Sequence, residues 1–177
     1  MLERRTDHGL LDRHREAVRP EWIDYNGHMN VAYYLLTFDH ATDVFFEEIG
    51  LDADYRARTG GSSFAIETHI TYQREVAEGD HLRFTTQLID YDKKRMHYFH
   101  RMYHEAEDYL AATCECLSLH IDLNQRRVVE FPTEIADRLA AFAEIQQGLP
   151  IPAEVGRSIR LASKKTGQRG ALAETGA

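Results

Sequence analysis

The sequence lacks the features that would place it in a membrane, on nucleic acid or outside the cell. No apolar run approaches the roughly 20 residues that a membrane-spanning helix needs. The 21 Lys and Arg are outnumbered by 29 Asp and Glu, and the net charge of −8 without a basic stripe argues against a nucleic-acid surface. The charged segment 1–13 has no apolar signal-peptide core. We therefore expect a cytoplasmic protein with no membrane or nucleic-acid partner.

Cysteine is also scarce. The two cysteines, Cys114 and Cys116, lie in a strand-like run, where this spacing puts both on one face. Such a pair could form half of a metal site, but the sequence has no second pair to complete it. Because free cysteine is commonly buried, we expect two reduced thiols in the core.

The composition that is present is that of an ordinary globular domain. The chain has 177 residues, 43% hydrophobic and 28% charged, which suits one domain with a real core. We predict a strand over 13–20 and a long helix that is capped by Asn30 and ended by Gly50, because apolar residues recur between them at helical spacing. A short link over 52–58, helical or irregular, leads to the second half of the chain.

The second half of the sequence is dominated by the alternation typical of strands. It predicts strands over 64–72, 82–88, 95–105 and 109–122, of which the last is apolar on both faces, as in a central strand. A helix with Thr133 as its N-cap should follow.

This order predicts an α+β fold, with the long helix laid across an antiparallel sheet. We divide the chain into an N-terminal tail over 1–12, the domain over 13–148, and a C-terminal extension over 149–177 that is loose from about residue 162.

The segment from Asp24 to Asn30 is the most informative part of the sequence, because it combines a carboxylate, a glycine turn and a helix N-terminus. The unpaired N–H groups of a helix N-terminus suit a developing oxyanion. Asp24 can act beside them as a nucleophile or a general base. Together these are the parts of an acyl-transfer site. Alternatively, Asp24 only forms an Asx turn, since Asp-x-Asn-Gly favours turns.

At these residues the sequence resembles the hotdog-fold acyl-CoA thioesterases, the group that includes 4-hydroxybenzoyl-CoA thioesterase. The matching residues are Asp24-x-x-Gly27-His28-Met29-Asn30 followed by Tyr33 and Tyr34, and later Ile70-x-Tyr72 with Glu75-Val76. The resemblance covers roughly residues 13–142, and it implies a single hotdog domain whose antiparallel sheet wraps around the central helix. A narrower resemblance, to the betainyl-CoA thioesterases, rests on segments 21–28, 92–95 and 156–161.

The resemblance also implies roles for individual residues. Asp24 takes the place of the catalytic carboxylate, and the backbone N–H near Val31 would polarise the thioester carbonyl. Asn30 is chiefly the helix cap, and His28 either donates to the substrate or holds the loop, of which we favour the second. Subunits of this family pair their sheets with the site at the dimer interface, so Glu67 of a partner subunit could approach Asp24.

Two further groups are candidates for substrate binding. Lys93, Lys94 and Arg95 form a basic cluster that could bind the phosphates of coenzyme A in an acidic protein, although a hairpin tip can also be merely solvated. Trp22, Tyr25 and Tyr33 could hold a trimethylammonium group, which is bound by aromatic faces. Tyr34 is expected to pack in the core.

Histidine offers no clear metal site in this sequence. Of His97, His100 and His104, strand geometry puts the last two on one face and His97 on the other. The sequence also has no H-E-x-x-H helix, so we expect catalysis without a metal or redox cofactor.

The resemblance implies a homodimer or homotetramer that hydrolyses a small acyl-CoA, most specifically betainyl-CoA, to the free acid and CoA. An enoyl-CoA hydratase of the same fold is disfavoured, because hydratases resemble Asp-x-Asn-Pro-x-His, whereas here His28 follows Asp24 by four residues and no Pro is present. A non-catalytic acyl-CoA-binding module would have no need for a carboxylate at position 24. The sequence leaves open the role of Asp24 as nucleophile or base, the acyl group and the number of subunits.

Overall fold

A long helix lies across one face of a seven-stranded antiparallel sheet in the computed structural model, which describes residues 6–7 and 9–161. The strands are β1 (Thr6–Asp7), β2 (Leu10–Ala17), β3 (Gly61–Tyr72), β4 (His81–Tyr91), β5 (Arg95–His104), β6 (Leu110–Asp122) and β7 (Arg127–Val128). The helices are α1 (Val31–Ile49), α2 (Ala53–Thr59) and α3 (Thr133–Ile145), with a 3₁₀ turn at Pro20–Trp22. The predicted α+β class and the helix laid across the sheet are confirmed.

Helix α1 forms where the sequence predicts it and has both predicted ends. The side chain of Asn30 accepts a hydrogen bond from the Ala32 N–H at 3.0 Å, and Gly50 ends the helix with φ of 81°. The buried face of α1 carries Tyr34, Thr37, Phe38, Ala41, Thr42, Phe45 and Ile49. Burying one such aromatic or large aliphatic side chain contributes about 1.5–3 kcal/mol, so packing against the sheet dominates the stability of this helix.

The strand order explains why β6 is apolar on both faces. Along the sheet the order is β1-β2-β4-β5-β6-β3, with β7 also paired to β6. β6 therefore lies between β5 and β3, which confirms the prediction of a central strand. β3 pairs only with β6 among the described strands and forms an edge of the sheet. It exposes Phe64, Ile66 and Tyr72 at 45%, 54% and 51%.

Several predicted boundaries are wrong: β3 begins at Gly61 rather than at 64, and β4 ends at Tyr91 rather than at 88. The first strand is Leu10–Ala17 rather than 13–20, so residues 10–12 belong to the sheet and not to the predicted tail. The charged residues near this segment do not end the strand, because it pairs with β4 as far as Leu11 and the Leu11 side chain is buried. The N-cap of α3 is Pro132, and Thr133 is already helical, because the ring of Pro132 holds φ at −66° in an extended conformation that starts a helix.

The described part of the C-terminal extension crosses the outer face of the sheet, the face opposite α1. The Gln87 side chain donates a hydrogen bond to the Pro150 carbonyl at 3.3 Å. The Gly156 N–H donates to both carboxylate oxygens of Glu115 at 2.9 and 3.1 Å. Through these contacts, residues 150–156 cross the sheet from β4 to β6, towards the edge strand β3. The prediction of a loose tail from about residue 162 concerns residues that lie outside the described ones.

No helix within the described ranges has the length and apolar character needed to cross a bilayer.

Candidate active site

Residues 23–30, the Asp24 loop, form a tight turn that feeds directly into α1. The N–H of Asp24 donates to the His28 carbonyl, and the N–H of Gly27 donates to the Asp24 carbonyl, each at 3.0 Å. Gly27 has φ of +83°, which side chains rarely adopt. The glycine is therefore needed to close the turn and to present Asp24 beside the helix N-terminus.

Of the two oxygens of the Asp24 carboxylate, one is hydrogen-bonded within the loop and the other is not. Oδ1 accepts a hydrogen bond from the Asn26 N–H at 2.7 Å, which is the Asx turn that the sequence allowed. Oδ2 has no hydrogen-bond partner among the residues that the structure describes. Asp24 is partly exposed. One oxygen can thus hold the turn while the other meets a substrate, so the two interpretations of Asp24 are compatible.

The first turn of α1, which the Asp24 loop enters, leaves one backbone donor free. The Asn30 N–H donates to the Trp22 carbonyl at 2.9 Å, and the Asn30 side chain accepts a hydrogen bond from the Ala32 N–H. The Val31 N–H has no acceptor within the described part of the chain. Such a group, at the positive end of a helix dipole, is suited to stabilise an oxyanion.

His28 joins the Asp24 loop to the segment that follows β3. Its Nε2 lies 3.2 Å from an Oε of Glu75, and the Met29 N–H donates to the Val76 carbonyl at 2.9 Å. This arrangement is what the loop-holding role of His28 requires. Glu75 is a supporting residue that the sequence reasoning did not single out, although Glu75-Val76 was part of the family resemblance.

The structure separates the aromatic residues that the sequence grouped together. The Trp22 ring is only 3% exposed and stacks on Tyr33 with centroids 5.4 Å apart. Tyr25, at the tip of the loop, is 96% exposed. Tyr34 packs in the core, as predicted, and burial raises its pKa to about 12. Within one chain, therefore, Trp22 is closed to a ligand, Tyr33 is partly buried, and Tyr25 is fully available.

The predicted basic cluster lies far from Asp24 in the same chain. The Asp24 loop contacts Val76, just before β4 begins, whereas the turn with Lys93, Lys94 and Arg95 follows the end of β4. β4 has 11 residues, which corresponds to about 35 Å of strand. Within the turn, Arg95 Nε donates to Asp92 at 2.7 Å, and this hydrogen bond raises the pKa of Arg95. Lys93 and Lys94 have no ion pair within the described residues.

Glu67 lies on β3 next to a bulge and faces the outer side of the sheet. It lines an outer-face cavity of about 410 Å³ with His97, Glu115 and Arg157 of the C-terminal extension. α1 and the Asp24 loop lie on the other side, so the structure does not bring Glu67 towards Asp24 of its own chain.

A residue that sequence reasoning placed on the polar side of the long helix faces a cavity. Asp39 lines a space of about 110 Å³ between α1 and the sheet, together with Leu35, Phe38 and Tyr98. Burial, followed by the neighbouring Asp43 carboxylate, raises the pKa of Asp39. No local signal identified this residue, because the cavity exists only where the helix meets β3 and its neighbouring strands.

The strand histidines and the two thiols lie where the sequence predicted. His100 is fully buried between the hydroxyls of Thr42 and Thr86, at 3.0 and 2.8 Å, and burial lowers its pKa to about 3. His97 points to the other face and lies 2.8 Å from Glu115. Cys114 and Cys116 are buried free thiols with sulfurs 3.4 Å apart, which confirms the prediction for them.

Comparison with known proteins places this geometry in a family. Residues 18–139 match the model of the thioesterase-like superfamily. The chain is 40% identical over 152 residues to betainyl-CoA thioesterase of Pseudomonas aeruginosa, covering 86% of this chain and 96% of that protein. It is 44% identical over 144 residues to L-carnitine dehydrogenase/betainyl-CoA thioesterase of Ruegeria pomeroyi, covering 81% of this chain and 29% of that protein.

A solved structure shares the same architecture. A Staphylococcus aureus protein in complex with CoA superposes with a TM-score of 0.81 at 30% identity, covering 86% of this chain and 96% of the other. Its sheet and central helix thus correspond to those described here over most of both chains. This chain belongs to the thioesterase-like superfamily, and its fold is the hotdog fold.

Proposed function

We propose that this protein hydrolyses betainyl-CoA to betaine and CoA, with Asp24 as the reacting carboxylate. The observation that carries the proposal is that one loop supplies both the free Oδ2 of Asp24 and, where it enters α1, the unpaired Val31 N–H. The relatives at 40% and 44% identity, whose names include betainyl-CoA thioesterase, support the substrate.

Two routes use the same atoms. In the first, Oδ2 of Asp24 attacks the thioester carbon, the C–S bond breaks with loss of CoA thiolate, and water hydrolyses the resulting anhydride. In the second, Asp24 removes a proton from a water molecule that attacks the same carbon. In both, negative charge develops on the carbonyl oxygen, and the Val31 N–H stabilises it. No step requires a metal or redox cofactor.

The edge strand β3 supports assembly into a dimer with the site at the interface. A long edge strand with exposed apolar side chains is a template for pairing with another chain. β3 spans 12 residues, and its Phe64 and Ile66 side chains are exposed on a face of the sheet beside that edge. We infer that two copies pair their β3 strands antiparallel into one continuous sheet, as a dimer or as half of a tetramer.

This pairing would also give a role to the turn with Lys93, Lys94 and Arg95, the basic turn. The Lys94 carbonyl bonds to His120 near the end of β6, which pairs with the start of β3, whereas the Asp24 loop lies near the end of β3. In an antiparallel β3 pair, the start of one β3 lies beside the end of the other. The basic turn of one subunit would then share an end of the sheet with Asp24 of the other, where the nucleotide of CoA could bridge them.

Neutralising the basic turn should weaken binding of CoA esters. Because Arg95 is already paired with Asp92, Lys93→Gln with Lys94→Gln should raise KM several-fold, and adding Arg95→Gln should change little more. The effect should shrink at high salt, because added ions screen exposed charges. KM measured with a thioester that lacks the nucleotide is the control. An equal rise in KM for that truncated substrate would contradict nucleotide binding by the turn.

The identity of the acyl group is tested by comparing betainyl-CoA with a neutral ester of the same shape. Betainyl-CoA should be hydrolysed with a kcat/KM at least ~10-fold above that of 3,3-dimethylbutyryl-CoA, since one or two good cation–π contacts are worth about 1.4 kcal/mol or more. Tyr25→Leu should reduce this ratio and spare the neutral ester. Trp22→Leu should instead lower stability, because that ring is buried. Equal kcat/KM for both esters would exclude betaine recognition but not thioester hydrolysis.

The position of Asp39 on α1 bears on which cationic acyl group it could pair with. It follows Val31 by eight positions on α1, which is a rise of about 12 Å. In betainyl-CoA the ammonium is one methylene away from the carbonyl, so Asp39 of the subunit that supplies Val31 is too far away to be its counter-ion. A longer cationic ester, 4-trimethylammoniobutyryl-CoA, should therefore be assayed beside betainyl-CoA and 3,3-dimethylbutyryl-CoA.

Free thiol release with these three esters also separates a thioesterase from a hydratase or a passive binder, neither of which liberates CoA.

A further inference from the structure

Three potential metal ligands converge on one point of the molecule, outside the candidate active site. His14 and Glu16 are alternate residues of β2 and share the face that packs against α1, which contributes His40. One ligand atom from each of the three side chains lies within 4.8 Å of the others. The cluster is partly buried, with side-chain exposures of 17%, 10% and 35% for His14, Glu16 and His40.

One atom of the cluster has no hydrogen bond. Nε2 of His14 is buried without a hydrogen-bond partner, although it lies 3.4 Å from Oε2 of Glu16. Leaving a buried polar atom unpaired costs about 1–3 kcal/mol. Ligands at about 2.0–2.2 Å from a tetrahedral zinc ion are separated from each other by about 3.4 Å. The His14–Glu16 distance therefore matches a pair of ligands across such an ion.

The ligand atom of the third residue, His40, lies within 4.8 Å of those of His14 and Glu16. Nδ1 of His40 lies 2.8 Å from the same Oε2 of Glu16, which is a hydrogen-bond distance. An ion between the two would require a separation of about 3.4 Å. His40 is the most exposed of the three, so its side chain can move by this amount without disturbing the core.

We propose that His14, Glu16 and His40 bind a divalent transition-metal ion of the zinc class. Two imidazoles and one carboxylate are a known ligand set for zinc, with the fourth position left for water. The Asp39 carboxylate, whose charge acts on His40, and the net charge of −8 favour a cation here. Arg19, 3.4 Å from the other oxygen of Glu16, leaves Oε2 available to the ion.

The ion would link β2 to α1, away from the residues proposed to hydrolyse the thioester. β2 and the edge strand β3 lie towards opposite ends of the sheet, so the cluster is remote from the proposed dimer edge. His40 follows Val31 by nine positions on α1, which is about 13.5 Å of helix rise. A metal here would cross-link β2 to α1, and its binding free energy would add to the stability of the fold.

The test is a titration of tag-free, chelator-treated protein with Co²⁺, whose visible absorption reports its coordination. We expect saturable 1:1 binding that Zn²⁺ displaces and that weakens at least ~10-fold in His40→Gln and in Glu16→Gln. The matched control is His81→Gln, an exposed histidine on β4 outside the cluster, which should bind Co²⁺ like the wild type. Thiol release should be unchanged in His40→Gln and His81→Gln.

A second measurement does not depend on how the variants fold. X-ray absorption of the zinc-loaded wild-type protein should show two imidazole ligands and no sulfur. The absence of saturable Co²⁺ binding, or equal affinity in His40→Gln and His81→Gln, would mean that the cluster is only a hydrogen-bonded contact between β2 and α1. Neither result depends on the identity of the acyl-CoA substrate.

Discussion

Asp24→Asn is expected to reduce kcat by at least ~100-fold and to leave the fold intact, with a smaller effect on KM. The amide oxygen can still accept the Asn26 N–H that Oδ1 accepts now at 2.7 Å, so the turn persists. The amide is, however, a poor nucleophile and a poor base. The measurement is free thiol release with the preferred ester, alongside circular dichroism and thermal unfolding.

The matched control for this variant is Asp43→Asn, which removes an exposed carboxylate from α1 with the same change of charge. Its kcat should stay within about twofold of the wild type, since exposed residues away from a site rarely matter. An Asp24→Asn protein that folds normally and keeps wild-type turnover would remove Asp24 from the chemistry and leave it as an Asx-turn residue.

Ile66→Lys is expected to dissociate the proposed β3–β3 dimer and to reduce activity together with it. Ile66 is 54% exposed on the edge strand β3. If two β3 strands pair antiparallel, the new charges of the two copies enter the interface and repel each other. A loss of about 2.7 kcal/mol would raise the dimer dissociation constant ~100-fold. Sedimentation should then give the 20.4 kDa monomer.

The control for the edge strand is Ile145→Lys, which places the same charge at a residue that is 42% exposed at the end of α3. This protein should remain a dimer with unchanged turnover. A wild-type protein that is monomeric and fully active at assay concentration would contradict both the β3 interface and the shared site.

The local elements of this protein could be predicted from the sequence because their signals are local. The cap at Asn30, the stop at Gly50 and the 3.6-residue periodicity between them predicted the helix that is observed at Val31–Ile49. Alternation predicted the four long strands, and the double-sided apolar pattern of β6 predicted its central position. The turn at Gly27 was visible because few other residues adopt its φ. The errors came where pairing or a proline decided the boundary, at Leu10 and at Pro132.

What only the tertiary structure decided is how distant elements meet. The sequence grouped Trp22 with Tyr25, but packing placed the first in the core and the second in solvent. It proposed from charge that Lys93, Lys94 and Arg95 bind the phosphates of CoA, but it could not show that an 11-residue strand separates this turn from the Asp24 loop. The same holds for the convergence of His14 and Glu16 with His40, since β2 and α1 are brought together by burial of a shared core. Periodicity reports which face of an element is buried, but the element that covers this face is selected by the packing of the whole chain.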